Sequence, residues 1–194
     1  MLAALNIGKS FFNTGLTVDV ENLKTYLEDN PESFNTHTER LTSYGSPHSA
    51  SSDIWVRYNA PENKGANFND MHFPVWYPIA KELPDVMGIA FAIMNAVGGE
   101  HLGGVLITKV PAGGRIEPHT DSGWHAGFYD KFYIPIKNAE GAKFCFEDGE
   151  INPQEGEVYC FDNSVTHWVE NNSDQDRIAL IVCIRTVLRS QNAA

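Results

Sequence analysis

The sequence predicts a single α+β domain, mainly β, in which supporting helices precede a run of strands. From Gly103 onward short β-rich runs recur: GGVLITKV, RIEPHTD, FYDKFYIPI, AKFCFED, EVYCFDN, THWVEN and RIALIVCIRTV. Turn signals separate them, at Pro111–Gly114, Asn138–Gly141, Asp148–Gly149 and Asn171–Asp174. Upstream, apolar residues fall at helical spacing instead. Short strands at such regular intervals predict a sandwich or a rolled double sheet, and helices that come first are expected to buttress one face of it. Residues 1–194 are read as one domain, with 1–102 as helical support and loops and 103–187 as the β core.

The elements follow in order. Thr17 to Asp29 (TVDVENLKTYLED) places Val20, Leu23, Tyr26 and Leu27 on one helical face, with Thr17 or Asp19 as N-cap. Asn30 to Ser52 is polar and ends in SPHSASS, which reads as a surface loop. Asp53 to Asn59 alternates Ile54, Val56 and Tyr58 against Trp55 and Arg57, as a strand does. An Asn- and Gly-rich loop, Ala60 to Asp70, leads to a helical region from about Val75 to Val97, which Pro84 is expected to divide in two and Gly98-Gly99 to end.

Composition excludes several classes. With 14 Lys+Arg against 25 Asp+Glu the net charge is −11, which opposes a nucleic-acid backbone as partner. The 42% apolar content is that of a folded globule. The longest apolar stretch, Val86 to Val97, is 12 residues and too short to span a bilayer, so no membrane partner is expected. The N-terminal MLAALNIGKSFF lacks a basic n-region and a full apolar h-region, so no secretory signal is expected. Cys145, Cys160 and Cys183 are odd in number, form no CxxC and lie in apolar runs. They read as buried free thiols of a reducing, cytoplasmic compartment.

The chemistry concentrates in a few residues. In His119-Thr120-Asp121, strand alternation would send His119 and Asp121 to one face. An imidazole and a carboxylate there cover two adjacent corners of a metal's coordination sphere, and His167, at the start of another β run, offers a third. Two His and one carboxylate with open positions suit a non-haem Fe(II) site. Ten positions after His167 stands Arg177, with the Asn171–Asp174 turn between them, and a hairpin there would return Arg177 to the side of His167. Arg177 opens the apolar run IALIVCI, where a guanidinium is costly unless an anion pairs with it. That anion is either a carboxylate ligand or one of Asp174, Asp176 and Glu170. Trp124 and His125 either pack the loop or line an entrance. Trp55, Trp76 and Trp168 read as core or sheet-face aromatics, and the remaining histidines as solvated.

The segments GGRIEPHTDSG, YDKFYIPI and GEVYCFDNSVTHWVENNSDQDRIALIVCI resemble the aspartyl/asparaginyl β-hydroxylase family of Fe(II)- and 2-oxoglutarate-dependent oxygenases. The resemblance covers residues 103–187 most strongly and DIWVRYN more loosely. It implies a double-stranded β-helix of the jelly-roll or cupin-like type, an Fe(II) held by His119, Asp121 and His167, and O2 and 2-oxoglutarate as cosubstrates. It assigns Arg177 to the far carboxylate of 2-oxoglutarate and Thr108 to a hydroxyl that assists. Where many members carry Arg-x-His, this chain has Lys131-Phe132-Tyr133. Lys131 keeps the charge without the fork, and Tyr133 keeps a hydrogen-bonding tip. The implied reaction hydroxylates an amino acid or a peptidyl side chain and releases succinate and CO2. Alternatives of other classes are a cupin-like metal isomerase or hydrolase, which would not need Arg177, and a non-catalytic binding module, which would not need an intact metal set.

Overall fold

A computed structural model describes residues 9–63 and 69–187. Residues 1–8, where a leader was sought, and 64–68, the middle of the Asn- and Gly-rich loop, lie outside the described residues. Eleven strands form two antiparallel sheets among the described residues. They are β1 (Phe11–Thr17), β2 (Ser52–Tyr58), β3 (Val75–Trp76), β4 (Gly99–Val110), β5 (Arg115–His119), β6 (Asp130–Lys137), β7 (Ala142–Phe146), β8 (Gly149–Ile151), β9 (Glu157–Phe161), β10 (His167–Asn171) and β11 (Arg177–Thr186). The larger sheet runs β1-β9-β6-β11-β4-β2-β3 and the smaller β5-β10-β7-β8. This is the double-stranded β-helix that the resemblance implied.

Period-2 alternation explains why the large sheet separates two cores. On β11, Ile178, Leu180, Val182 and Ile184 face the helix layer, and on β6 so do Phe132, Ile134 and Ile136. That layer consists of α1 (Glu21–Asp29), through Leu23 and Leu27, and α3 (Val86–Ala96), through Val86, Ile89, Ala90 and Ile93. These are the i, i+3, i+4 and i+7 positions of a helix that buries one stripe. The intervening residues of the same strands, Tyr133 and Ala179, face the small sheet together with Val110, Ile116, Phe144, Phe146, Phe161 and Val169. Two short helices complete the fold, α2 (Glu39–Thr42) and α4 (Trp124–Phe128).

The seven strand runs read from Gly103 onward all form, and β8 adds a short eighth. The first hundred residues differ from expectation. Thr17 ends a strand rather than capping α1, because Phe11–Asn13 pairs with Tyr159–Phe161 at the sheet edge, and α1 begins at Glu21. Asp19 does act at that end, accepting the Glu21 N–H at 3.0 Å. The segment 75–97 holds one α-helix, not two: Val75–Trp76 pairs with Arg57–Tyr58 on β2, and Pro78–Lys81 is a 3-10 turn. Gly98 ends α3 at φ +70°, the left-handed conformation that favours glycine. Residues 1–102 therefore supply β1, β2 and β3 to the large sheet, not helical support alone. Among the described residues no helix is long and apolar enough to cross a membrane. Cys145 and Cys183 are buried free thiols and Cys160 is half-buried. Burial pushes the Cys145 and Cys183 thiols up to about 11, so neither is a nucleophile near neutral pH.

Candidate metal centre

His119 ends β5 and His167 begins β10, and the two residues are direct partners in the β5–β10 ladder. Their ring centroids are 4.4 Å apart. His119 Nδ1 lies 2.7 Å from the Glu117 carbonyl and His167 Nδ1 lies 2.9 Å from the Val165 carbonyl. A carbonyl only accepts, so each Nδ1 carries the hydrogen and each Nε2 is left bare as a ligand atom. Burial holds both imidazoles below their ordinary pKa and hence neutral.

Asp121 lies beyond the end of β5, so the shared strand face expected of His-Thr-Asp is not what brings it in. Its backbone N–H donates to the Asn163 carbonyl at 2.9 Å, and that loop tie turns the carboxylate back toward the histidines. Asp121 Oδ1 is 3.9 Å from His119 Nε2 and Oδ2 is 3.8 Å from His167 Nε2. One ligand atom from each of the three residues lies within 4.8 Å of the others, close enough to share one ion. The carboxylate also forms an ion pair with Lys131. Burial alone would raise the Asp121 pKa. Lys131, through its charge and its hydrogen bond, outweighs burial and holds the carboxyl well below the usual carboxylate range.

A cavity of about 540 Å³, its open mouth included, lies between the sheets beside this group. Arg177, Thr108, Lys131 and Tyr133 all line it, so every site residue read from the sequence converges on one space. The expected hairpin is absent: β10 pairs with β5 and β7, whereas β11 pairs with β4 and β6. The Asn171–Asp174 turn carries the chain from one sheet to the other, so that Arg177 and His167 line the same cavity from different sheets. Asn171 secures that crossing by donating to the carbonyls of Val110, Pro111 and Gln175. Arg177 is 2% exposed, lies over the Tyr133 ring at 5.1 Å, and its Nε makes no hydrogen bond. The Tyr133 hydroxyl is also buried without a partner. Of the three acidic residues near Arg177 in sequence, Asp176 faces Lys109 at 3.7 Å, Glu170 accepts the Trp168 indole N–H at 3.0 Å, and Asp174 forms no ion pair with Arg177.

Trp124 and His125 do not line the cavity. They pack with Tyr58, Phe128 and Tyr129, and His125 Nε2 accepts the Gly104 N–H at 3.2 Å. Trp168, expected in the core or on a sheet face, does line it. Two cavity residues escaped the sequence reading, Arg40 and His48. His48 came in a Ser-rich loop with the look of a solvated histidine. Its one signal was the same segment's return into the apolar strand DIWV.

The model of the aspartyl/asparaginyl beta-hydroxylase family matches residues 20–186. The chain belongs to that family. The match reaches well upstream of the segments that carried the resemblance, taking in β2, α3 and the Arg40 and His48 region. Solved structures share the chain's fold at low identity. A viral collagen prolyl hydroxylase from Paramecium Bursaria Chlorella virus-1 is 13% identical, with TM-score 0.52 over 93% of this chain and 98% of that one. A Pseudomonas putida prolyl-4-hydroxylase is 12% identical, with TM-score 0.51 over 92% and 94%. A 2OG-Fe(II) oxygenase-family oxidoreductase from Burkholderia pseudomallei is 13% identical, with TM-score 0.52 over 70% of this chain and 66% of that one, just under two thirds of its length. No curated protein sequence matches the chain.

Proposed function

We propose that the chain is an Fe(II)- and 2-oxoglutarate-dependent dioxygenase that hydroxylates an amino acid or a peptidyl side chain. The observation that carries this reading is Arg177, a cation buried beside a two-His, one-carboxylate set, with no carboxylate to pair it among the described residues. An unpaired interior guanidinium is costly, and a dianionic cosubstrate with one carboxylate to spare supplies the missing partner. The site fits both groups. Two neutral imidazoles and a carboxylate suit Fe(II), and the unpartnered Arg177 Nε and Tyr133 hydroxyl suit a carboxylate's oxygens.

His119, Asp121 and His167 would hold the iron. Arg177 would take the far carboxylate of 2-oxoglutarate, with Tyr133 donating its hydroxyl hydrogen and Thr108 assisting from β4. Lys131 neutralises Asp121 in the free protein and adds positive charge beside the cosubstrate. Bound iron would supply the coupling of O2 reduction to 2-oxoglutarate decarboxylation, so that substrate C–H, O2 and 2-oxoglutarate give the alcohol, succinate and CO2. Phe144 and Phe161, with ring centroids 5.8 and 5.5 Å from that of His167, wall the site with apolar surface that excludes water. Three cysteines free of disulfides support a reducing, cytoplasmic setting.

The reading is tested by loading the protein with Fe(II) without oxygen, titrating 2-oxoglutarate, and then admitting air in the presence of amino acids and short peptides. Saturable 2-oxoglutarate binding and substrate-stimulated succinate release are expected. A protein that binds iron but not 2-oxoglutarate would refute it.

A further inference from the structure

The loop between α2 and β2 brings a second polar cluster to the cavity. The Pro47 carbonyl accepts the Glu117 N–H at 3.0 Å, which fastens this loop to the outer edge of β5. The next residue, His48, packs edge-on against His119 with ring centroids 4.7 Å apart, and it is only 8% exposed. Arg40 is clamped beside it. Its Nε and Nη2 donate to the two carboxylate oxygens of Asp53 at 2.8 and 2.9 Å, and Asp53 is fully buried. Its Nη1 lies 3.3 Å from His48 Nε2.

A guanidinium has donors and no acceptor, so His48 Nε2 must accept. The imidazole is thereby fixed as the neutral tautomer with its hydrogen on Nδ1. That Nδ1 is buried and has no hydrogen-bond partner. A buried donor left unmade is expensive, and the residue that carries it lines the cavity with its ring against His119 of the candidate metal set. Thr108 on β4 stands opposite Ala179 on β11 and, on its other side, opposite Asp53 on β2. The Asp53 backbone is therefore two strand spacings from β11, roughly 10 Å, while the Arg40 Nη2 donates to the Thr108 hydroxyl between them at 3.5 Å. With Arg177 and Tyr133 occupied by the cosubstrate, His48 is left to the molecule being oxidised.

We propose that His48 is a substrate-binding residue, its Nδ1–H held by the Arg40–Asp53 clamp to donate to a carbonyl-type oxygen of the substrate. That oxygen is the carboxylate of a free amino acid or the amide carbonyl of a peptide. The inference rests on the dioxygenase reading, and its test separates the two. Nitrogen-15 NMR of histidine-labelled protein should show His48 with a protonated Nδ1 and a bare Nε2, a result independent of iron and of activity. A proton on Nε2 would overturn the proposal. The iron-loaded protein is then assayed for succinate release with the free amino acids and with their N-acetyl methylamides. For the best compound, His48→Phe should raise KM roughly tenfold or more, leave iron content unchanged and hold the 2-oxoglutarate KM within about twofold. His48→Gln, which keeps an N–H donor, should recover most of the loss. Preference for the free acids or for the methylamides decides which oxygen is bound. An unchanged substrate KM, a parallel rise in the 2-oxoglutarate KM, or no stimulation by any compound while 2-oxoglutarate still binds would each overturn the assignment. Failure to bind 2-oxoglutarate at all would instead sink the dioxygenase reading.

Discussion

Replacing Arg177 by Met should act in opposite directions on ligand affinity and on the stability of the ligand-free protein. Met keeps much of the length and apolar stem of Arg while removing the guanidinium. That group is 2% exposed and its Nε is unpartnered, so in the free protein it carries a desolvation cost with no ion pair to offset it. The stacking over Tyr133 at 5.1 Å returns only about 0.5–2 kcal/mol. Substituting apolar side chains for buried ionic groups is often neutral or stabilising by about 1–4 kcal/mol, and for a chain of this size each kcal/mol moves Tm by roughly 2–4 °C. The ligand-free variant should therefore melt at the wild-type temperature or several degrees above it. With 2-oxoglutarate the sign reverses, because truncating one side of a buried charged pair costs about 2–5 kcal/mol. At 1.4 kcal/mol per decade that is a loss of at least tenfold and roughly three-hundredfold at the middle of the range.

The assays are thermal melts of metal-free protein and calorimetric titration of 2-oxoglutarate into the iron-loaded protein under nitrogen. Arg177→Met with wild-type affinity would show that the guanidinium is not the anchor. A clear drop in the metal-free Tm would show that Arg177 is a structural cation.

Other expectations follow from the same geometry. His119→Ala should abolish stoichiometric iron binding with the fold intact; retained iron would remove His119 from the ligand set. Lys131→Ala should raise the apparent 2-oxoglutarate constant less than Arg177→Met does, since an ammonium is a point charge without a fork, and a larger effect would reverse that ranking. Burial, with Lys131 opposing further charge, pulls the His125 pKa down to about 3, against an unfolded value near 6.5. The unfolded chain then binds the extra proton, so this contribution to stability is present above about pH 6.5 and is lost as pH falls toward 3. Urea midpoints of His125→Gln should consequently fall less between pH 7 and 4 than those of the wild type, and equal slopes would refute the assignment. As the proposed carboxylate ligand, Asp121 would leave no place for a metal-bound chloride, so turnover in chloride buffer should give an alcohol by mass spectrometry and no chlorinated product.

What the sequence conveyed about the β core follows from how strands bury. Each run from β4 to β11 has one apolar face for each core it meets, and each is cut off by a Gly, Asn or Pro turn, so element type was legible without knowing any partner. The N-terminal third was less so. Phe11–Thr17 carries the pattern FFNTGLT, and Gly15 within it adopts φ +77°. Only pairing with β9, some 145 positions later, makes it a strand, and no local property announces a partner that distant. Val75–Trp76 has the same difficulty, since two residues next to β2 gain by pairing what their helical spacing seemed to promise.

The candidate site shows the difference between reading a residue and reading a contact. His119, Asp121, His167 and Arg177 were legible because their chemistry is conspicuous: a carboxylate two places from an imidazole, and a guanidinium opening an apolar run. The routes that assemble them were not. Asp121 arrives by a loop hydrogen bond to Asn163, and Arg177 arrives by a crossing between sheets, where the local turn signal implied a hairpin. The same turn supports either outcome, because Asn171 satisfies the crossing's carbonyls with its own amide and leaves both sheets free to take the next strand. His48 is the limiting case. Its environment depends on Arg40, eight positions before it, on Asp53, five positions after it, and on a Pro47 carbonyl bonded to Glu117, seventy residues on. Arg40 and Asp53 would each pass for surface charges in a polar stretch. Once they close on each other in the interior, they fix which nitrogen of His48 holds the proton, and a residue with no sequence signature becomes the one unpartnered imidazole donor against His119.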